Sequence, residues 1–90
     1  DYIVSLVEAT RSSEYFSMGA SPRGANALLR MSRAMAVLAG REYVVPEDVA
    51  SVFTAVLGHR VKLSTKARAN GYNVVDALGE TRRLVKVPRT

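Results

Sequence analysis

The residues with the clearest chemical potential lie in one short run, Gly19-Ala20-Ser21-Pro22-Arg23-Gly24. Ser21 suits a helix N-cap, because its hydroxyl accepts from first-turn amides that have no partner within the helix. Pro22 suits the first helical position, where no backbone donor is needed. Arg23 then falls in the first turn, next to unpaired amides and at the positive end of the helix dipole, a setting that favours an anion. Its guanidinium keeps its charge and can give two parallel hydrogen bonds to phosphate oxygens, while Gly24 leaves room for close approach. The spacing thus describes a phosphate-contacting arginine whose turn is shaped by Ser21 and Pro22. It also describes an ordinary solvated arginine, and the residues alone leave both readings open.

Elsewhere the chemistry is sparse. The chain has one histidine and no cysteine, so neither a thiolate nucleophile nor a disulfide framework is available, and no metal site is assigned. His59, beside Arg60, has no partner motif and reads as a side chain at a helix terminus. The carboxylates read as helix-cap residues rather than a converging acid–base pair. No glycine-rich loop ending in Lys and Ser/Thr is present, nor an acidic Mg²⁺ motif after a strand, so this segment alone is not expected to hydrolyse nucleotide.

The elements that must position Arg23 follow from composition and periodicity. Ninety residues, 48% hydrophobic and 23% charged, describe one small globular domain with one core. No apolar run approaches the roughly 20 residues of a membrane helix, and the expectation is a soluble, cytoplasmic domain. The formal charge is +5, unevenly placed: residues 1–57 carry five basic and six acidic side chains, residues 58–90 eight basic and two acidic. Such a face permits contact with nucleic acid, nucleotide or an acidic protein without choosing among them.

The pattern predicts an all-α small bundle of about four helices. The first spans about 2–12, with Asp1 as cap and Ile3, Leu6, Val7 and Thr10 on its apolar side. A polar loop from Ser12 to Ala20 leads to a helix beginning at Ser21-Pro22, with Ala25, Leu28, Leu29, Ser32, Met35, Ala36 and Ala39 on one side and Gly40 as terminator. The third spans about 46–57, buries Val49, Val52, Phe53, Val56 and Leu57, and starts at Val45, a poor N-cap. Residues 61–63 read as extended, 64–72 as a loop with room for a helical turn, and 74–85 as the fourth helix, capped by Asn73. The abrupt start, with no initiator Met, reads as a piece excised from a larger protein.

Several of these runs occur together in a known order: Tyr2-Ile3-Val4, Ala9-Thr10-Arg11, Gly19 to Arg23, Tyr43-Val44-Val45-Pro46-Glu47-Asp48-Val49 and His59-Arg60-Val61. In this the chain resembles the C-terminal helical lid of MoxR-family AAA+ ATPases, over residues 1–90. The resemblance implies a lid following a P-loop core, with Arg23 as the sensor-2 arginine that contacts ATP phosphate. It implies ATP and Mg²⁺ as cofactors of the parent protein, neither held tightly by the lid alone. The implied partners are the AAA+ core of the same chain, neighbouring subunits of a hexameric ring, and a client protein, often alongside von Willebrand factor A proteins; the implied work is chaperone-like remodelling. Two features depart from the family pattern: Val45 stands where a Thr cap is common, and Lys66 to Gly71 is basic where relatives are commonly acidic. Tyr2, Ile3 and Leu6 read better as core than as adenine contacts, and Arg11 reads either as a cross-domain partner or as a surface cation. The competing reading is a basic DNA-binding or histone-fold-like interaction module. Against it, the basic residues do not gather on one recognition helix, and nucleic acid is not the expected partner.

Overall fold

A computed structural model describes residues 1–88. The elements run α1 (Tyr2–Ser12), β1 (Phe16–Met18), α2 (Pro22–Leu38), α3 (Pro46–Leu57), β2 (Lys62–Leu63), α4 (Thr65–Ala69) and α5 (Val74–Leu84). Their boundaries trace to side chains that satisfy the orphan amides of each first turn. Asp1 accepts from the Ile3 amide at 2.9 Å, Ser21 from Gly24 at 3.2 Å, Ser64 from Ala67 at 3.1 Å and Asn73 from Asp76 at 2.8 Å.

Val45 offers α3 no side-chain acceptor, and the start is secured from the other direction. The Asp48 carboxylate accepts from the Val45 amide at 2.9 Å and takes two bonds from Arg41, at 2.6 and 2.8 Å. This paired, hydrogen-bonded environment holds the buried Asp48 carboxyl down at about 2. Arg41 is in place because α2 stops cleanly. Gly40 adopts φ +78°, its amide bonds to the Val37 carbonyl at 2.9 Å, and the Arg41 amide bonds to the Ala36 carbonyl at 2.9 Å. A glycine is favoured there because the turn needs a left-handed residue.

The core lies where α1, α2, α3 and α5 meet. Tyr2, Ile3, Leu6 and Val7 come from α1, Leu28 from α2, Val49, Val52, Phe53 and Leu57 from α3, and Ala77 and Leu78 from α5. Tyr2, Ile3 and Leu6 are therefore core residues. The hydroxyls of Ser32 and Thr81, buried in helix interiors, donate to the carbonyls four residues back, at 2.7 and 2.8 Å, which removes the penalty of burying them.

The four expected helices form, and the helical turn allowed for within 64–72 is the short helix α4, started by Ser64. One expectation needs correction: the connection expected to be a polar loop from Ser12 to Ala20 contains β1, which pairs antiparallel with β2, Phe16 opposite Leu63 and Met18 opposite Lys62. Three residues are too few to show alternation; only pairing with a partner more than 40 positions away makes them a strand. Around this ribbon the Ser64 amide bonds to the Tyr15 carbonyl at 2.9 Å, and the Tyr15 and Tyr72 rings meet at 4.9 Å. The domain remains mostly helical, and among the described residues no helix is long and apolar enough to cross a membrane.

Candidate functional site

The junction between α1 and α2 is held by side chains of α1 that bond to its backbone. Thr10, on the buried side of α1, has no exposed surface. Its hydroxyl donates to the Val7 carbonyl at 2.6 Å and accepts from the Ala20 amide at 3.0 Å. The neighbouring Arg11 donates from Nε to the Ala20 carbonyl at 2.7 Å. Both polar backbone groups of Ala20 are thereby held by consecutive residues of one helix, and the N-cap Ser21 follows directly.

The loop reaches α1 this closely because residue 19 lacks a side chain. A Cβ on Gly19 would stand 2.6 Å from both Cα and N of Arg11 and 2.7 Å from the carbonyl carbon of Thr10. All three are backbone atoms that cannot swing aside. The Gly19-Ala20 pair is thus the inner edge of a contact whose outer edge is the start of α2.

From this anchor the first turn of α2 projects Arg23. Ser21 and Pro22 occupy the cap and first helical positions as the sequence predicts. Arg23 is exposed. The three ion pairs among the described residues are Arg41 with Asp48, Lys66 with Glu14 and Arg83 with Glu80, none involving Arg23. Gly24 is buried, and a Cβ there would lie 3.4 Å from Cδ of Arg60 and 3.5 Å from Cδ2 of Leu57. The end of α3 therefore packs on the first turn of α2 and brings the stem of Arg60 beside it. Beyond it, an open groove between α2 and α3 is lined by Arg30, His59 and Arg60 over Ala27, Met31, Ala55 and Val56, with no carboxylate in its wall.

Chemically, this end of the domain offers guanidinium groups and the positive end of a 17-residue helix, an arrangement suited to an anion. Among the described residues no three His, Cys, Asp or Glu side chains gather as potential metal ligands. The structure gives Arg11 an intramolecular partner, which the sequence left undecided, and brings the Ala-Thr-Arg, Gly-to-Arg and His-Arg runs to one corner. Sequence reasoning missed the roles of Thr10 and Gly19. Thr10 was legible in part, since a threonine on an otherwise apolar stripe requires a partner for its hydroxyl.

A model of the AAA lid domain family matches residues 8–81. The chain is 34% identical over 98 residues to Chaperone MoxR1 of Mycobacterium tuberculosis, covering 99% of this chain and 26% of that protein. It is 36% identical over 88 residues to the uncharacterized protein YeaC of Bacillus subtilis, covering 98% of this chain and 28% of that one. A crystal structure of a candidate ATPase from Cytophaga hutchinsonii superposes with a TM-score of 0.85 at 35% identity, covering 98% of this chain and 29% of that chain. The chain thus spans little more than a quarter of the length of these relatives.

Proposed function

Since this chain belongs to the AAA lid domain family, as the C-terminal lid of a MoxR-family ATPase, we propose that Arg23 is its sensor-2 arginine and contacts the phosphate of ATP held by the AAA+ core. The observation that supports this is the unneutralised guanidinium of Arg23 on the first turn of α2, whose approach is anchored to α1 through Ala20. An exposed arginine with no carboxylate partner among the described residues, on an anchored turn, is ready for an incoming anion. Ser21 and Pro22 shape the turn: the Ser21 hydroxyl is engaged with the Gly24 amide, and Pro22 presents no competing donor.

In this reading Arg23 stabilises the charge of the γ-phosphate as it is transferred, and loss of that phosphate frees the first turn of α2 to move. Nucleotide state becomes lid orientation through one side chain. ATP and Mg²⁺ belong to the parent protein, with Mg²⁺ held by the core, since the lid supplies cations rather than carboxylates at this corner. We extend the reading to a hexameric ring in which lid movement is passed to the neighbouring subunit and performs chaperone-like work on a client protein, in company with von Willebrand factor A proteins. The name of the mycobacterial relative, a chaperone, supports that class of work. The family match displaces the DNA-binding or histone-fold-like alternative, and the basic side chains of β2, α4 and α5 are spread over separate elements, with Lys66 and Arg83 partly satisfied by Glu14 and Glu80.

The test is steady-state ATP hydrolysis by the parent ATPase with Arg23→Ala. Charge-stabilising arginines in phosphoryl transfer can be worth about 10³-fold in turnover, and a loss of that order with the ring still assembled is expected. Turnover equal to wild type refutes the assignment.

A further inference from the structure

The pairing of Thr10 and Arg11 with Ala20 has a precision that packing alone does not require. One helix residue binds the amide of Ala20 and the next binds its carbonyl, at 3.0 and 2.7 Å. Two bonds on opposite sides of a single residue fix its orientation as well as its distance. Arg23 lies three residues further on, across a cap that is itself hydrogen-bonded. The loop lies closer to α1 than a residue with a side chain would allow, since a Cβ on Gly19 would stand 2.6 Å from the Arg11 backbone.

We infer that Thr10 and Arg11 are positioning residues for Arg23: they tie the start of α2 to α1, so that the guanidinium is delivered at one height and one angle. The inference rests on the reading of Arg23 as the phosphate-contacting arginine. Arg11 does not itself touch nucleotide in this account; its Nε is committed to the Ala20 carbonyl, and its charge makes that bond stronger than a neutral one. Thr10 cannot leave the contact without orphaning the buried Ala20 amide. The consequence for catalysis is positional, since a displacement of about 1 Å at a group acting on a transition state can lower turnover about 10²-fold.

The test is a cycle of variants in the full-length parent ATPase, with kcat measured at saturating ATP and Mg²⁺ and assembly checked by sedimentation. Thr10→Val and Arg11→Ala are each expected to lower kcat by about 10- to 100-fold, whereas Thr10→Ser, which keeps the hydroxyl, stays within a few-fold of wild type. In an Arg23→Ala background neither substitution lowers kcat further, because each acts only through the arginine already removed. Hydrogen exchange at the Ala20 amide accelerates in Thr10→Val but not in Thr10→Ser, confirming that the intended bond was lost in a folded lid. The inference is overturned if the losses multiply in the Arg23→Ala background, which marks general damage to the fold, or if Thr10→Val and Arg11→Ala turn over at the wild-type rate while Arg23→Ala is slow. Wild-type turnover of Arg23→Ala alone refutes the underlying assignment instead, and the positioning role falls with it.

Discussion

Replacing Gly19 by alanine adds one methyl carbon at the point where the α1–α2 connection meets α1, and the structure sets its cost. The new Cβ would lie 2.6 Å from two backbone atoms of Arg11, about 0.8 Å inside the 3.4 Å at which ordinary contact begins. Helix backbone does not yield to one methyl group, so the loop must lift. Overpacking of this kind costs about 1–3 kcal/mol. Lifting also stretches the bonds to Ala20, of which the neutral one is worth about 1 kcal/mol and the charged one about 1.5–3. With the bonds stretched rather than lost, a total of about 2–5 kcal/mol is expected, below the roughly 3.5–7 kcal/mol of their complete loss and against the roughly 4–13 kcal/mol that typical stability per residue gives a chain of this size. Urea denaturation of the 90-residue chain, followed by far-ultraviolet circular dichroism, measures it. Gly79→Ala is the internal control: Gly79 lies within α5 with nothing within 4 Å of its added Cβ, so alanine there should stabilise by up to about 1 kcal/mol. The two substitutions are chemically identical and opposite in expected sign. A Gly19→Ala chain within about 0.5 kcal/mol of wild type would refute the close-approach argument.

Other outcomes follow from the same structure. The Arg41 pair and the Val45 amide hold Asp48 at about 2, below its ordinary value near 3.8. The folded state therefore takes up this proton less readily than the unfolded state. Its contribution is whole above the unfolded value and is lost as pH falls from about 4 toward 2. Asp48→Asn should accordingly lower the denaturation midpoint at pH 7, with the gap to wild type closing over that window; a gap that does not change between pH 7 and pH 2 contradicts the account. The 90-residue chain by itself should bind ATP no more tightly than about 1 mM. Exposed charge contacts contribute up to about 1 kcal/mol each, and 1 mM already requires about 4 kcal/mol. Saturation calorimetry showing micromolar binding would overturn this.

Much of the frame was legible because it is local. Asp1, Ser21, Asn73 and the Gly40 terminator act within a few residues of themselves, and each marks a helix boundary within one residue of its observed place. The apolar stripe of α3 is likewise written in its spacing. What escaped depends on distant partners. β1 exists because of β2, and Ser64 caps a helix too short for periodicity to reveal. The absent cap at Val45 was readable, but its remedy was not, because Arg41 reaches Asp48 only once α2 has ended and the chain has turned. The site divides in the same way. Ser21, Pro22 and Arg23 announce themselves by type and order, whereas Thr10, Arg11 and Gly19 gain their roles from a contact between α1 and a loop about ten residues later. A threonine in an apolar stripe, an arginine beside it and a later glycine carry no shared pattern until the backbone brings them together.

The most direct measurement is the affinity of the parent ATPase for a non-hydrolysable ATP analogue and for ADP, in wild type and in Arg23→Ala. If Arg23 contacts the γ-phosphate, the variant loses about 10-fold or more in affinity for the analogue, as removal of a charged hydrogen bond worth about 1.5–3 kcal/mol requires, while ADP binds as before. Equal affinities of wild type and variant for both nucleotides would contradict the assignment of Arg23.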